Sequence, residues 1–338
     1  MKIGLLAPPW AAVPPPGYGG TESVVCQLAR GLTAAGHEVV LYATGDSTAP
    51  VPILYAMATA DWDRVGNGEV ELPHVMHGYE ALAGCDIIHD HTLLGPAWAL
   101  AVGYDRVVTT CHGPFSGELR AIYRRYGKRL PVVAISHDQA AHAPEIAVDR
   151  VIHHGLDPVE YPVGKGDGNF LLFLGRMTPD KGVREAILAA RAADVPLVIA
   201  AKNREPIEQA YFSEEIKPLL TDGVEVIGEV SGDTKLGLLG SAKALLNPIQ
   251  WAEPFGLVMI EAMACGTPVI ACPNGAAPEI VDSGSTGYLS SDPAELVAAI
   301  HRVDELDRGA CRAAAIQRFS TTRMVADHLA LYQEMIAR

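Results

Sequence analysis

Glu253 and Glu261 stand eight residues apart in QWAEPFGLVMIEAMACGTPVIACP (250–273), across a turn and the start of a helix. Pro254 and Gly256 interrupt the chain just before that helix, so the N–H groups of its first turn have no intrahelical acceptor. A phosphate or sugar oxygen suits such a helix start, the positive end of the peptide dipoles. Glu253 sits just ahead of this end. Glu261 lies further along, where a carboxylate can accept hydrogen bonds from a diol such as ribose. Phe255, Leu257, Val258, Ile260 and Met263 make the helix largely apolar. Carboxylates on such a helix need partners, and a ligand is one source of them; solvent is the other.

Two cations form a second constellation. In LLFLGRMTPDKG (171–182), Arg176 and Lys181 flank Pro179 between a strand ending near Gly175 and a helix beginning near Gly182. A guanidinium fork and a mobile ammonium at a helix start suit a diphosphate. Two solvated surface cations are the plain alternative. A third is the turn PPWAAVPPPGYGGT (8–21), in which Gly17, Gly19 and Gly20 permit close backbone approach to a ligand, with Glu22 in the next helical turn. It is not the dinucleotide fingerprint, whose third glycine position is Glu22 here, and it lacks the Gly-Lys-Ser/Thr of a Walker loop.

Among the histidines, His112 ends a strand in CHGPF (111–115). His89-Asp90-His91 also ends a strand, which puts His89 and His91 on one face. Imidazole and carboxylate can ligate a transition metal, but an acceptor contact or a satisfied core histidine is the favoured reading, and no metal site is expected. In ELRAIYRRYGKRL (118–130), Arg120, Arg124, Arg125, Lys128 and Arg129 accompany apolar residues at helical spacing. A helix packed on its domain with solvated cations is favoured there; a peripheral membrane or anionic-acceptor patch is the second reading.

The elements that must position these groups alternate along the whole chain. Strands are predicted at 2–7, 38–43, 86–89, 106–111, 131–135 and 150–153, then at 169–174, 196–201, 224–227, 244–247, 268–271 and 287–289, with amphipathic helices between. This pattern means parallel sheets covered by helices on both faces, in two doubly wound domains. The expected boundaries are 1–160 and 168–319, joined by a linker at 156–168 containing Pro158, Pro162, Gly164, Gly166 and Gly168. A last helix, 320–338, is expected to return to the first domain. Ligands of such sheets bind beyond the carboxyl ends of the strands, so both sets of turns would border one cleft.

A chain of 338 residues with 49% hydrophobic content and a mean hydropathy of +0.15 supports two cores. The net charge of −14 opposes binding to nucleic acid. No apolar run approaches the roughly 18 residues that cross a bilayer, and the N-terminus reads as a strand. Six scattered cysteines, none paired at zinc spacing, point to a reducing cytoplasm.

EPFGLVMIEAMACGTPVIA, LGRMTPDKG, PPPGYGGTE and HHGLD (153–157) together resemble, in order, the blocks of the retaining glycosyltransferases of family 4, whose signature is two glutamates separated by seven residues. The resemblance implies the α/β GT-B fold: two Rossmann-like domains with an interdomain cleft. It implies that Arg176 and Lys181 hold the donor diphosphate and that Glu261 binds ribose. Glu253 would contact the transferred sugar. The backbone of Phe255, Gly256, Leu257 and Val258 would cradle sugar and phosphate, with Gly19 and Gly20 from the first domain and His112 near the reacting face. Attack comes from the leaving group's side, the departing phosphate helping to take the acceptor's proton, so Glu253 and His112 act by positioning and electrostatics. The Asp-x-Asp triplet 61–63, a metal motif in glycosyltransferases of another fold, lacks the strand that should precede it.

The partners expected are a nucleoside diphosphate sugar, with uridine favoured over guanine, and a hydroxyl acceptor met by residues such as Trp10, Tyr18, His74, His77 and His91. No cofactor is expected, and the oligomeric state stays open. By analogy the pathway is cell-surface glycan or oligosaccharide-antibiotic assembly. The alternatives are a nucleotide-sugar 2-epimerase and a non-catalytic nucleotide-sugar binding module.

Overall fold

In the computed structural model, which describes residues 1–337, the chain divides into two compact units. Unit 1 is Met1–Leu156 together with the chain from Thr321 onward; unit 2 is Asp157–Ser320. Unit 1 runs β1 (Lys2–Leu6), α1 (Gly20–Ala34), β2 (Glu38–Tyr42), β3 (Ile53–Leu54), α2 (Gly68–Leu82), β4 (Ile87–Asp90) and α3 (Gly95–Val102). It continues through β5 (Val107–Thr110), α4 (Gly117–Tyr126), β6 (Val132–Ala134), α5 (His137–Ala141) and β7 (Arg150–Val151). All seven strands are parallel, in the order β3-β2-β1-β4-β5-β6-β7. The edge strand β3 is absent from the sequence reading; two residues carry no periodicity, and only their pairing with β2, Ile53 with Leu41 and Leu54 with Tyr42, defines it.

In unit 2 the order is β8 (Leu171–Arg176), α6 (Val183–Ala192), β9 (Leu197–Lys202), α7 (Pro206–Tyr211), β10 (Val224–Val226), α8 (Gly232–Ser241) and β11 (Ala244–Asn247). Then come α9 (Leu257–Ala264), β12 (Val269–Ala271), α10 (Ala277–Ile280), β13 (Gly287–Leu289), α11 (Pro293–Arg302) and α12 (Arg308–Phe319). The sheet is again parallel, ordered β10-β9-β8-β11-β12-β13. Its inner strands β8, β9, β11 and β12 are mostly buried apolar runs, as helix-covered parallel strands must be, while the edge strand β10 exposes Glu225.

The last helix, α13 (Thr321–Ile336), belongs to unit 1. Val325 and Thr321 pack where Gly31 of α1 has no side chain, and the Thr321 amide donates to the Leu156 carbonyl at 2.8 Å. The segment expected as a linker, 156–168, is instead built into unit 2 from Asp157 onward. The amides of Gly164, Gly166 and Gly168 donate to the carbonyls of Cys265, Gly240 and Ser241 at 3.0, 3.0 and 2.9 Å. A Cβ at Gly164 would run into the backbone of Gly240. Gly164 thus serves close packing of two backbones rather than freedom, and the second unit starts at Asp157, not at 168.

Candidate functional site

Strand order reverses direction between β1 and β4 in unit 1 and between β8 and β11 in unit 2. The crevice outside the carboxyl ends of such neighbours is where doubly wound sheets bind ligands. In unit 2, the turn after β8 carries Arg176 and Lys181, and the turn after β11 carries Trp251 and Glu253. The fold brings these turns together: the Lys181 ammonium is ion-paired to Glu253 Oε2, and Trp251 Nε1 donates to the same oxygen at 2.8 Å. Lys181 also lies 5.4 Å from the centroid of the Trp251 ring and is only 8% exposed. Arg176 pairs with Asp180 at 3.3 Å, and the Asp180 carbonyl accepts from the Gln250 amide at 2.8 Å, tying the two turns by their backbones.

Gly256, at φ +96°, turns the chain into α9. Leu257 and Val258 are that helix's first residues, the positions whose N–H groups lack intrahelical acceptors. The Phe255 side chain points into the core, 5.9 Å edge-to-face from Phe319, leaving its backbone for the turn.

Glu261 sits within α9, 9% exposed. Its Oε1 accepts from the Lys235 ammonium of α8 at 2.7 Å and from the Tyr161 hydroxyl at 3.4 Å, while Oε2 is buried without a partner. Burial, and next the Glu261 charge, push the Tyr161 phenol well above its ordinary value. Tyr161 is held in turn by Arg312 of α12, whose guanidinium donates to the carbonyls of Pro158, Tyr161 and Ala264. Sequence reasoning missed Lys235, Tyr161, Trp251 and Arg312; each acts through a contact distant in sequence or on a residue with no motif of its own.

In unit 1, His112 follows β5. The turn is clamped by Gln139 of α5, whose Nε2 donates to the carbonyls on either side of it, Cys111 at 2.9 Å and Gly113 at 2.6 Å. Gln139 was also missed. His112 Nε2 lies 2.9 Å from His91 Nδ1, and its ring stacks on His154 at 5.2 Å. Burial pushes the His112 imidazole down to about 4, so it is neutral at pH 7. His89 is fully buried, bonded to Tyr332 of α13 and to Thr110 at 2.6 and 2.7 Å. His74, an acceptor candidate, is likewise a core histidine bonded to the Ala7 carbonyl at 2.9 Å.

Gly20 opens α1, and Gly19 precedes it with an extended backbone. The Gly19 position has no room for a side chain against Pro15. Glu22, also in α1, is 5% exposed, and burial pushes its carboxyl up to about 7. In α4, Tyr123 and Tyr126 are buried, Arg124 and Arg125 are exposed and Arg120 is ion-paired to Glu145; Lys128 and Arg129 are exposed in the turn that follows the helix. Asp61 of the Asp-x-Asp triplet is occupied by Arg64 Nε at 2.7 Å. Among the described residues, no helix is long and apolar enough to cross a membrane.

Residues 162–317 match the family model described as glycosyl transferases group 1, and residues 18–160 match that of Glycosyltransferase Family 4. The chain is 27% identical over 327 residues to a phosphatidyl-myo-inositol mannosyltransferase of Mycolicibacterium smegmatis, covering 86% of this chain and 80% of the relative. It is 28% identical over 348 residues to a glycogen synthase of Mycobacterium tuberculosis, covering 86% and 83%. Among solved structures, AviGT4, a glycosyltransferase involved in avilamycin A biosynthesis, superposes with a TM-score of 0.75 at 26% identity, covering 100% of this chain and 98% of that one. Anabaena HepE, solved with UDP and glucose, gives 0.78 at 21% identity, covering 98% and 99%.

Proposed function

This chain belongs to family 4 of the glycosyltransferases, and from that premise we propose a retaining, metal-independent enzyme that moves a hexose-type sugar from a nucleoside diphosphate sugar to a hydroxyl acceptor. Its two Rossmann-like units are those of the GT-B fold. The observation that carries the donor assignment is the meeting of Lys181, Trp251 and Glu253 where β8 and β11 adjoin, beside the start of α9.

In this reading Lys181 and Arg176 take the diphosphate and Glu261 takes the ribose diol. The backbone of Phe255, Gly256, Leu257 and Val258 supports sugar and phosphate. Glu253 meets the transferred sugar. In unit 1, the turn at Gly19 and Gly20 is assigned to close approach of a ligand, and His112 offers a neutral imidazole. None of these groups is assigned as a covalent nucleophile. Positioning and charge stabilise an oxocarbenium-like state, and the departing phosphate takes the acceptor's proton. No cofactor or metal ion is invoked.

Uridine diphosphate sugars are the donors to test first, against guanosine diphosphate sugars. The likeness to AviGT4, which is involved in avilamycin A biosynthesis, supports a role in secondary-metabolite or glycan assembly. The net charge of −14 weighs against a membrane-lipid acceptor, despite the cations of α4.

A thermal-shift screen with nucleoside diphosphates should raise Tm for one base. Transfer from the matching sugar should then fall by about 100-fold or more in Glu261→Ala and Lys181→Ala. Wild-type rates in both variants sink the site assignment. Interconversion of the donor with no acceptor present, seen by NMR, would identify a 2-epimerase, and a bound donor left intact by every acceptor would identify a binding module.

A further inference from the structure

We propose that His91 is a positioning residue that fixes the tautomer of His112: His91 donates its Nδ1–H to His112 Nε2, so that His112 carries its own proton on Nδ1. His91 Nδ1 and His112 Nε2 are 2.9 Å apart, so one nitrogen donates and the other accepts. Five imidazoles, of His89, His91, His112, His154 and His328, form a chain of ring contacts with neighbouring centroids 4.1 to 5.2 Å apart. Charge on any of them would be buried among the others, and burial lowers the pKa of all five. Each ring is therefore neutral and bears one N–H.

The direction of the bond follows from the other nitrogen of His91. Its Nε2 is buried and has no partner. If His91 accepted through Nδ1, its proton would sit on Nε2 as a buried, unbonded N–H. If it donates through Nδ1, Nε2 is a bare lone pair. An orphaned donor is the rarer and costlier of the two in folded proteins. His89 does not alter the choice, because its nitrogens meet the hydroxyls of Tyr332 and Thr110, which donate or accept equally well. The backbone of His91 is fixed by its amide bond to the Leu6 carbonyl at 2.9 Å, and that of His112 by Gln139.

With Nε2 occupied, Nδ1 is the atom of His112 left for a ligand, and it presents an N–H. His112 thus offers a donor to a sugar or phosphate oxygen and cannot remove a proton through that atom. The electrostatic role given to His112 above becomes specific, and general-base chemistry there is excluded.

The kinetic arm of the test rests on the transferase reading; the spectroscopic arm does not. In uniformly 15N-labelled wild-type protein, imidazole shifts assigned by comparison with His112→Asn should show His112 protonated at Nδ1. Protonation at Nε2 overturns the proposal whatever the protein catalyses. His91→Leu should lower kcat by about tenfold or more with the donor KM within about twofold, the scale of one lost hydrogen bond in the transition state. His91→Asn places an amide N–H where Nδ1–H was and should keep kcat within about threefold. Wild-type kcat in His91→Leu, or an equal loss in both variants, overturns it. Absence of transfer by the wild type defeats the transferase reading and leaves the tautomer measurement to decide this one.

Discussion

The Lys235 ammonium donates to Glu261 Oε1 over 2.7 Å, on the same oxygen that the Tyr161 hydroxyl approaches to 3.4 Å, so one edge of the carboxylate is taken and Oε2 is left. Because Oε2 is closed to solvent, a ribose diol would have to share the Oε1 edge with these two donors. Removing Lys235 leaves a mostly buried carboxylate without its counter-charge, which costs more than the pair was worth. Lys235→Met, which keeps the apolar stem, is expected to lower Tm and weaken nucleoside diphosphate binding by about tenfold. Adding Glu261→Gln should recover the Tm without recovering the binding. Calorimetric titration beside thermal melts separates the two effects, and unchanged binding in Lys235→Met would remove the lysine from the site.

Lys181 and Glu253 neutralise each other beneath the Trp251 indole. A diphosphate arriving at Lys181 meets the negative charge of Glu253 as well. Glu253→Gln is therefore expected to bind nucleoside diphosphate as tightly as wild type or more tightly, while transfer falls by about 100-fold through loss of a preorganised charge. Weaker diphosphate binding in Glu253→Gln would mean that the carboxylate serves to hold Lys181 in place and not to meet the sugar.

What was legible in the sequence was local. The strand, turn and helix containing Arg176 and Lys181, and the spacing of Glu253 and Glu261, are written in short runs whose periodicity and breakers are visible. The sheet strands longer than two residues are equally visible as apolar runs; β3 is not, because Ile53 and Leu54 form a strand only by pairing with β2. Lys235 and Gln139 escape notice for a related reason: Lys235 acts on a residue 26 positions away and Gln139 on residues 28 and 26 positions away, through bonds that no spacing encodes. The misplaced linker has another cause. Glycine reads as freedom in a sequence, whereas Gly164 is required because the backbone of Gly240 occupies the space of a side chain.

Gly275 makes a sharper test of that last point. At φ +61°, it has a backbone few other residues adopt, and a Cβ there would run into the backbone of Glu253. Gly275→Ala must displace Glu253, and a shift of about 1 Å in a positioning group costs on the order of 100-fold in rate. Gly284, at φ +83° with open space around it, is the control: Gly284→Ala carries similar backbone strain without touching the site. Both variants are expected to lose about 1 to 3 kcal/mol of stability, but only Gly275→Ala should lose transfer activity. Equal activities would show that Glu253 tolerates displacement.

Unit 1 should be acid-labile. His74, His89, His91, His112, His154 and His328 are all held below the ordinary histidine value by burial, His74 and His112 to about 4 and His328 to about 3. Below about pH 6.5 the unfolded chain takes up these protons and the folded chain does not. Their contribution is thus complete above that pH and is lost as pH falls toward the folded values. Three carboxyls act in the opposite sense. Burial raises Glu22 and Asp90 to about 7 and raises Glu71, so the folded form keeps protons that the unfolded form releases, which favours folding as pH falls from 7 toward 4. Six histidines outweigh three carboxyls, and each uncompensated proton changes stability by about 1.4 kcal/mol per pH unit. The urea midpoint should therefore fall between pH 7 and pH 5. His328→Phe removes a ring whose buried Nδ1 has no partner, and should reduce that slope by about one proton. A midpoint that stays flat across this range would mean that the histidines accept protons in the folded state and that the neutral chain from His328 to His112 does not exist.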